Sequence, residues 1–388
     1  MILDIIIIIS VVLFGFFIPN IFKIDKNEQR HLLLLWIYHL VFAIAYYFFT
    51  IDDISSDSQR YWNVAKEMTG DEAYASLFIG RGTHVMFGLN YFISGVLDLY
   101  YLTGTIMYSL LGYIGLVLFY QITITLVPYN SKFFSFNLFP LLFFLPNLHF
   151  WSVGIGKDTI LFFCIAIFSY SLLRLKKRIF WILVSLILSY FVRPHITLFL
   201  LLSFSLAYLF NNKVPKYQRV FLFVCLLGGG LILLPKVMEY AKIEELSVEG
   251  YSQFAETKAE QLNQAHTGSG VDVSSYPLPL RILTFLFRPT FIDINGLPAL
   301  LAAFENLFLL ILTIRVLINK PIATFKKSPL IIQGLLILLV IGTLTFSSSL
   351  GNLGIMLRMR NMLLPGMLIF FFWSFSYQKQ IRHRKIET

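Results

Sequence analysis

Residues 330–344 read LIIQGLLILLVIGTL, a stretch without one charge, and Lys326-Lys327 stand just ahead of it. The hydrocarbon core of a bilayer is about 30 Å thick and takes roughly 20 apolar residues of helix. This stretch is one of a series. Ile5–Phe17 and Leu32–Phe49 are as apolar, in a chain of 388 residues that is 57% hydrophobic and 13% charged. Soluble domains carry roughly 45–50% apolar and about 25% charged residues. So much apolar surface does not fit inside one water-exposed core. The sequence specifies an all-α, polytopic integral membrane helical bundle and excludes a soluble enzyme or a nucleic-acid binder. The net charge of +10 is then a matter of topology. Cys164 and Cys225 both lie in apolar runs, which leaves no disulfide framework and no thiolate metal site. Met1–Phe22 reads as a first transmembrane helix rather than a signal peptide, because its basic residues follow the apolar run and no small-residue cleavage site is visible.

Basic residues set the topology. Lys23, Lys26 and Arg30 form one cluster, and Arg174, Lys176, Lys177 and Arg178 a second. Lys213, Lys216 and Arg219 form a third, Arg315, Lys320, Lys326 and Lys327 a fourth, and Lys379, Arg382, Arg384 and Lys385 a fifth. With Lys132 they hold 19 of the 31 basic residues and only Asp25, Glu28 and Glu387 as acids, which leaves 12 basic and 18 acidic residues for the other side. Basic loops stay cytoplasmic. Spans expected at 2–22, 31–50, 103–126, 134–150, 158–174, 179–192, 196–211, 220–236, 297–318, 328–347 and 361–377 satisfy every cluster. They make about 11 helices, with the N-terminus outside and the C-terminus inside. Arg193-Pro194-His195 then forms the outer apex between two short spans.

Two outer loops result within a single membrane domain, 1–388. In 51–102, the Gly82–Leu97 segment is read as lying along the outer interface rather than crossing. The second loop, 237–296, begins polar and helical over Glu239–Gln264. It passes His266-Thr267-Gly268-Ser269-Gly270 and returns through apolar Leu278–Phe291. No repeat of fixed period occurs.

Threaded this way, the unusual polar residues face outward: Asp52, Asp53, Asp57, Arg60, Arg81, His84, Lys157, Asp158, Arg193, His195, Arg281, Arg288, Glu305, Arg358 and Arg360. The cytoplasmic loops are short and basic, and no Walker or dinucleotide motif occurs, which argues against an ATP-driven pump and against a nucleotide-sugar donor. Carboxylates at 52, 53 and 57 can serve as general bases or hold a divalent ion; as plain structure they cap a helix. Arginines and a lysine beside Pro, Gly or Asp suit phosphate oxygens; as plain structure they snorkel to head groups. As a set they favour an anionic ligand, since the positive-inside tendency opposes outer basic residues. Glu305, inside a span, is either functional or the partner of an arginine. His84 and His195 have no second ligand at helical spacing, so a zinc site is not expected. His149, beside Trp151, reads as an interfacial anchor.

A family resemblance appears at these residues. Asp57-Ser58-Gln59-Arg60-Tyr61-Trp62, Gly156-Lys157-Asp158, Arg193-Pro194-His195, Phe287-Arg288-Pro289 followed by Glu305-Asn306, and Gly351-Asn352-Leu353-Gly354 with Arg358 and Arg360 occur in that order. The chain resembles the polytopic proteins of bacterial exopolysaccharide, capsule and O-antigen clusters, namely Wzy-like repeat-unit polymerases and GT-C-type glycosyltransferases. The resemblance covers most of the chain through short motifs. It implies glycosyl transfer on the outer face of the bacterial cytoplasmic membrane from an undecaprenyl-diphosphate-linked donor. Asp57 matches the place of a base or metal ligand, with Asp53 and Glu305 as further carboxylates. Arg193, Arg288, Arg358 and Arg360 would handle the diphosphate, and Arg60, Arg81, His84, Lys157 and His195 would contact diphosphate or sugar. The implied partners are the lipid-linked donor and acceptor, the bilayer, a chain-length regulator and a flippase, with no nucleic acid. No cofactor is expected, and a divalent cation at Asp52, Asp53 and Asp57 is the weaker alternative. Two helices precede the first loop instead of one, and no soluble C-terminal domain of the GT-C kind is seen; both departures favour the polymerase branch.

Two alternatives stay open. One is a GT-C enzyme adding a single sugar from a polyprenyl monophosphate, told apart by product length. The other is a lipid-linked oligosaccharide flippase, which should show internal repeats and a midplane site. A membrane acyltransferase is weaker, because neither histidine has a nucleophile arranged beside it.

Overall fold

Backbone N–H and C=O groups in long apolar runs have no water to bond, so they close on one another as helices. The computed structural model describes residues 1–22, 24–53, 56–133, 136–210, 215–241, 255, 257–259, 269–273 and 275–387. Among the described residues the chain is helical apart from one short β-hairpin and an isolated bridge. The chain divides into two compact units: Met1–Ile122 with Phe143–Arg193, and Thr123–Leu142 with Pro194–Thr388.

The first unit starts with α1 (Ile2–Ile21) and α2 (Lys26–Thr50), the latter capped by Asp25 accepting from the Glu28 amide at 2.8 Å. Trp36 locks them together by donating to the Val12 carbonyl at 3.1 Å and filling the space over Gly15. Three short helices follow, α3 (Asp57–Glu67), α4 (Gly70–Phe78) and α5 (Thr83–Asn90), the last continuing as a π-turn through Tyr91–Val96. They pack on one another as a small cluster. Thr69 and Glu72 form a reciprocal capping box that starts α4. The run from Thr83 to Val96 is about 21 Å long by helical rise, shorter than a hydrocarbon core. The long helix α6 (Tyr101–Leu126) comes next.

The expected span 134–150 is not a helix. Lys132–Phe133 (β1) and Phe136–Asn137 (β2) form a hairpin, followed by the single turn α7 (Leu138–Leu141), a 3₁₀ turn and α8 (Pro146–Phe150). Pro140 and Pro146 lack the amide that a continuous helix needs, so the run breaks into pieces. The next apolar stretch, Lys157–Val192, has the length of a very long span. It folds back instead. Asp158 and Arg193 lie 2.9 Å apart, whereas a straight helix would separate them by about 52 Å. The turn falls at Leu172–Arg174, between α9 (Lys157–Ser171) and α10 (Leu175–Val192), where Arg174 (φ −142°, ψ 60°) and Arg178 (φ −127°, ψ 19°) leave helical geometry. There the Arg178 guanidinium lies 3.9 Å from the Tyr170 ring centroid and donates to the Tyr170 carbonyl at 3.0 Å.

In the second unit, α11 (Pro194–Phe210) packs against α12 (Lys216–Ala241). The polar helix expected over Glu239–Gln264 lies mostly outside the described residues, as do His266, Thr267 and Gly268. The chain continues as α13 (Leu278–Phe287), α14 (Leu297–Leu317), α15 (Pro321–Lys327), α16 (Leu330–Ser349), α17 (Leu353–Asn361) and α18 (Leu364–Glu387). Helix α16 is central, touching α11, α13, α17 and α18. Among the described residues seven helical stretches have the length and apolarity of a membrane span, or eight if α17 and α18, bent by 60°, count as one. The α9–α10 stretch is among the seven and is a hairpin.

Glycine packing offers a test of this arrangement. A Cβ at Gly112 in α6 would sit 1.8 Å from the Ser152 carbonyl oxygen, whereas one at Gly228 in α12 would meet nothing within 4 Å. Gly112→Ala is expected to lower stability by about 1–3 kcal/mol or more through overpacking. Gly228→Ala is expected to be neutral or to stabilise by up to about 1 kcal/mol. Thermal unfolding of the two variants in detergent checks the contrast.

Candidate functional site

The sequence motifs gather within each unit. In the first, Lys157 and Asp158 open α9 while Arg193 closes α10, and the hairpin brings them to one end. Asp158 and Arg193 are only 7% and 13% exposed, and Arg193 Nη1 donates to Asp158 Oδ1 at 2.9 Å. Lys157 Nζ donates to Thr83 Oγ1 at 2.8 Å and lies 5.7 Å from the Tyr61 ring centroid. Two predicted motifs thus meet: Tyr61 belongs to the 57–62 stretch and Lys157 to the Gly-Lys-Asp stretch. Arg81 packs close by in the fold, with its guanidinium 4.3 Å from the Phe191 centroid and 5.1 Å from that of Tyr190, and with a bond to the Gly80 carbonyl at 2.6 Å. The backbone confirms the join, since the Gly82 amide donates to the Phe191 carbonyl at 2.9 Å.

The carboxylates named from the sequence sit at the start of α3. Asp52, Asp53, Asp57 and Arg60 are all exposed, whereas Ser58 and Gln59 turn inward. Ser58 is bonded to the Tyr46 hydroxyl at 2.6 Å, which anchors the first turn of α3 to α2. The same turn leaves Asp57 facing out. His84 is exposed at the first turn of α5, edge-on to Phe87. Among the described residues no three His, Cys, Asp or Glu side chains gather to hold a metal ion.

The second unit joins residues that the sequence scatters between 269 and 360. Arg360 is 1% exposed, and its guanidinium donates to Asn306 Oδ1 at 2.7 Å and to the Leu286 carbonyl. Asn306 Nδ2 in turn donates to the Pro289 carbonyl at 2.8 Å. This chain of bonds ties α17 to α14 and both to the end of α13. Glu305 is 4% exposed in the same helix, next to Asn306. Arg288 closes α13. Its Nε donates to Asp293 Oδ2 at 3.1 Å and its Nη2 to Asp293 Oδ1, a two-pronged ion pair. Those bonds hold the Asp293 carboxyl down at about 2 and push the Arg288 guanidinium up. Asn352 caps α17 through the Ile355 amide at 3.1 Å and accepts from Ser269 Oγ at 3.2 Å. The backbone of 269–271 runs beside 351–353, bonded at both the Gly351 carbonyl and the Leu353 amide. Arg358 is half-buried in the last turn of α17. His195 stands edge-on to Phe199 and Phe346, and Phe346 also meets Phe285 of α13.

The Arg288–Asp293 pair has a pH signature. The folded Asp293 titrates below the ordinary carboxylate range, so its contribution is complete at neutral pH and is lost as pH falls from about 4 toward 2. Asp293→Asn is expected to unfold at a lower temperature than the native chain at pH 7. The difference should vanish near pH 2, as checked by thermal unfolding across pH.

Two features escape sequence reasoning. Asp293 is one, although Thr290-Phe291-Ile292-Asp293 carries a capping-box pattern that the structure forms. The other is His149, which is no interfacial anchor but fully buried. Its Nδ1 lies 2.8 Å from His39 Nδ1, and its Nε2 meets the Phe143 carbonyl at 2.8 Å. His39 Nε2 meets the Ser109 carbonyl at 3.1 Å. This polar clasp holds the broken 143–150 stretch against α2 and α6, and no local signal links residues so far apart in the chain.

Compared with protein families, with curated proteins and with solved structures, the chain matches none.

Proposed function

We propose that the protein is a glycosyltransferase working on the outer face of the bacterial cytoplasmic membrane, where it joins oligosaccharide units carried on undecaprenyl diphosphate. The observation that supports this reading most is the buried chain of bonds in which Arg360 meets Asn306 and Asn306 meets the Pro289 carbonyl, next to Arg288. These residues come from separate motifs, and they are the motifs on which the family resemblance rests. In the reaction an acceptor hydroxyl oxygen attacks the anomeric carbon, the bond from that carbon to the diphosphate oxygen breaks, and undecaprenyl diphosphate leaves. The hydroxyl proton passes to a carboxylate. Negative charge grows on the departing diphosphate, and preorganised arginine donors lower the barrier by meeting it. Arg288 and Arg358 are assigned that role in the second unit. Arg360, enclosed by Asn306 and the Leu286 carbonyl, positions the loop that carries Arg288.

Glycan length in cells lacking the protein tests the reading, with the lipid-linked intermediate measured alongside. Loss of the ladder of repeats with accumulation of complete single lipid-linked units is the expected result. Units short of one sugar would instead indicate a single-sugar transferase, and complete units trapped on the inner leaflet a flippase. An unchanged glycan would remove the reading altogether.

A further inference from the structure

In the second unit a hollow lies toward the opposite end of α14 from the 288–293 loop. A groove of about 790 Å³ opens where the C-terminal end of α14 and the second half of α18 meet the β-hairpin. Lys132, Arg315 and Lys379 line it, and no Asp or Glu does so among the described residues. Asn130, Asn319 and Gln378 add amide groups, while Leu138 and Phe375 give it an apolar side. Three cations sharing one hollow repel one another, and an anion seated among them lowers that energy.

The walls are held in place from within. Asn130 clasps Phe139 twice, donating from Nδ2 to its carbonyl at 2.6 Å and accepting its amide at 3.2 Å. The Tyr129 amide donates to Ser376 Oγ at 3.0 Å, which fixes this segment to α18. Lys132 is paired with Asn137 across the hairpin. The carbonyls ending α14 would oppose an anion, but Asn319 Nδ2 covers one of them by donating to the Arg315 carbonyl at 2.6 Å. Lysines that only snorkel from span ends would each reach a different head group. Here a concave surface brings two lysines and an arginine to the same volume.

We propose that this groove binds the phosphate ester of an anionic lipid head group. Its position at the end of a membrane span sets it at head-group depth, and basic pockets between spanning helices suit such lipids. The apolar side formed by Leu138 and Phe375 accommodates the glycerol and first methylenes, which a free phosphate would leave empty. A free inorganic phosphate shares the anionic chemistry, so the experiment separates the two.

The full-length protein is purified in detergent, and retention of phosphatidylglycerol and of phosphatidylcholine is measured by native mass spectrometry. Phosphatidylglycerol is expected to be retained in preference. The triple variant Lys132→Gln, Arg315→Gln, Lys379→Gln is expected to lose that lipid by about 10- to 100-fold. Lys326→Gln with Lys327→Gln, which removes exposed charge outside the groove, is expected to change it less than about twofold. Should the triple variant fold poorly, Lys132→Gln alone is expected to weaken retention severalfold with an unchanged unfolding temperature. Displacement of the lipid by millimolar inorganic phosphate would assign the groove to free phosphate and overturn the lipid. Equal retention of both lipids, or equal retention by native and triple-variant protein, would overturn the site itself.

Discussion

Asp158→Ala is expected to destabilise the first unit by about 3–5 kcal/mol, while Asp158→Leu combined with Arg193→Met costs far less. Both side chains are nearly enclosed, at 7% and 13% exposed, and their charges meet at 2.9 Å. Removing the carboxylate alone leaves a guanidinium in a medium of low polarity without its compensating charge, and breaking a buried pair from one side is among the few single changes that cost this much. Removing both partners substitutes apolar volume for a pair whose attraction barely exceeded its desolvation cost. Chemical unfolding of the single and double variants in mixed micelles measures the difference. A double variant as unstable as Asp158→Ala would overturn the account of the hairpin end. The same double variant bears on function. If the pair only closes the hairpin, cells carrying it keep full-length glycan; if Arg193 handles a phosphate, the protein folds and the glycan is lost.

The hairpin also shows what a sequence can and cannot carry. The basic cluster at 174–178 predicts a turn between two spans, and the chain turns there because four cations do not enter hydrocarbon. Apolar runs at 2–22, 31–50, 103–126, 297–318 and 328–347 all become long helices, since an apolar run of span length has one way of satisfying its backbone in lipid. The run 134–150 is equally apolar and fails, because Pro140 and Pro146 withhold amides that an apolar count does not see. Candidate site residues were legible by type: Lys157, Arg193, Arg288, Glu305 and Arg360 all occupy places where their surroundings constrain them. Their partners were not. Thr83 for Lys157, Asp293 for Arg288 and Asn306 with the Leu286 carbonyl for Arg360 are tertiary facts, fixed by which helix ends the packing brings together. The His39–His149 clasp joins two helices in the same way.

Arg288→Lys is expected to lower glycosyl transfer by about 10²–10³, by analogy with the loss of one oxyanion donor, and Arg288→Ala by more. Lysine keeps the charge but offers one ammonium where arginine presents a fork, and Arg288 uses that fork on Asp293 through both Nε and Nη2. The change therefore has two routes to an effect, one through the diphosphate and one through the 288–293 loop. Asp293→Asn separates them. It removes the acidic partner while leaving Arg288 whole, so a diphosphate role predicts transfer that survives Asp293→Asn far better than Arg288→Lys. A purely structural pair predicts equal losses from both. Arg360 supplies the contrast within the same unit. It is enclosed and bonded only to protein groups among those described, so Arg360→Lys is expected to act on stability, by about 1–3 kcal/mol, because Asn306 Oδ1 or the Leu286 carbonyl loses a donor inside the protein. Transfer per folded molecule and unfolding midpoint, measured together for the four variants, read these outcomes directly. Full glycan length from Arg288→Lys at normal protein abundance would leave Arg288 as a loop clamp and the phosphate role to Arg358.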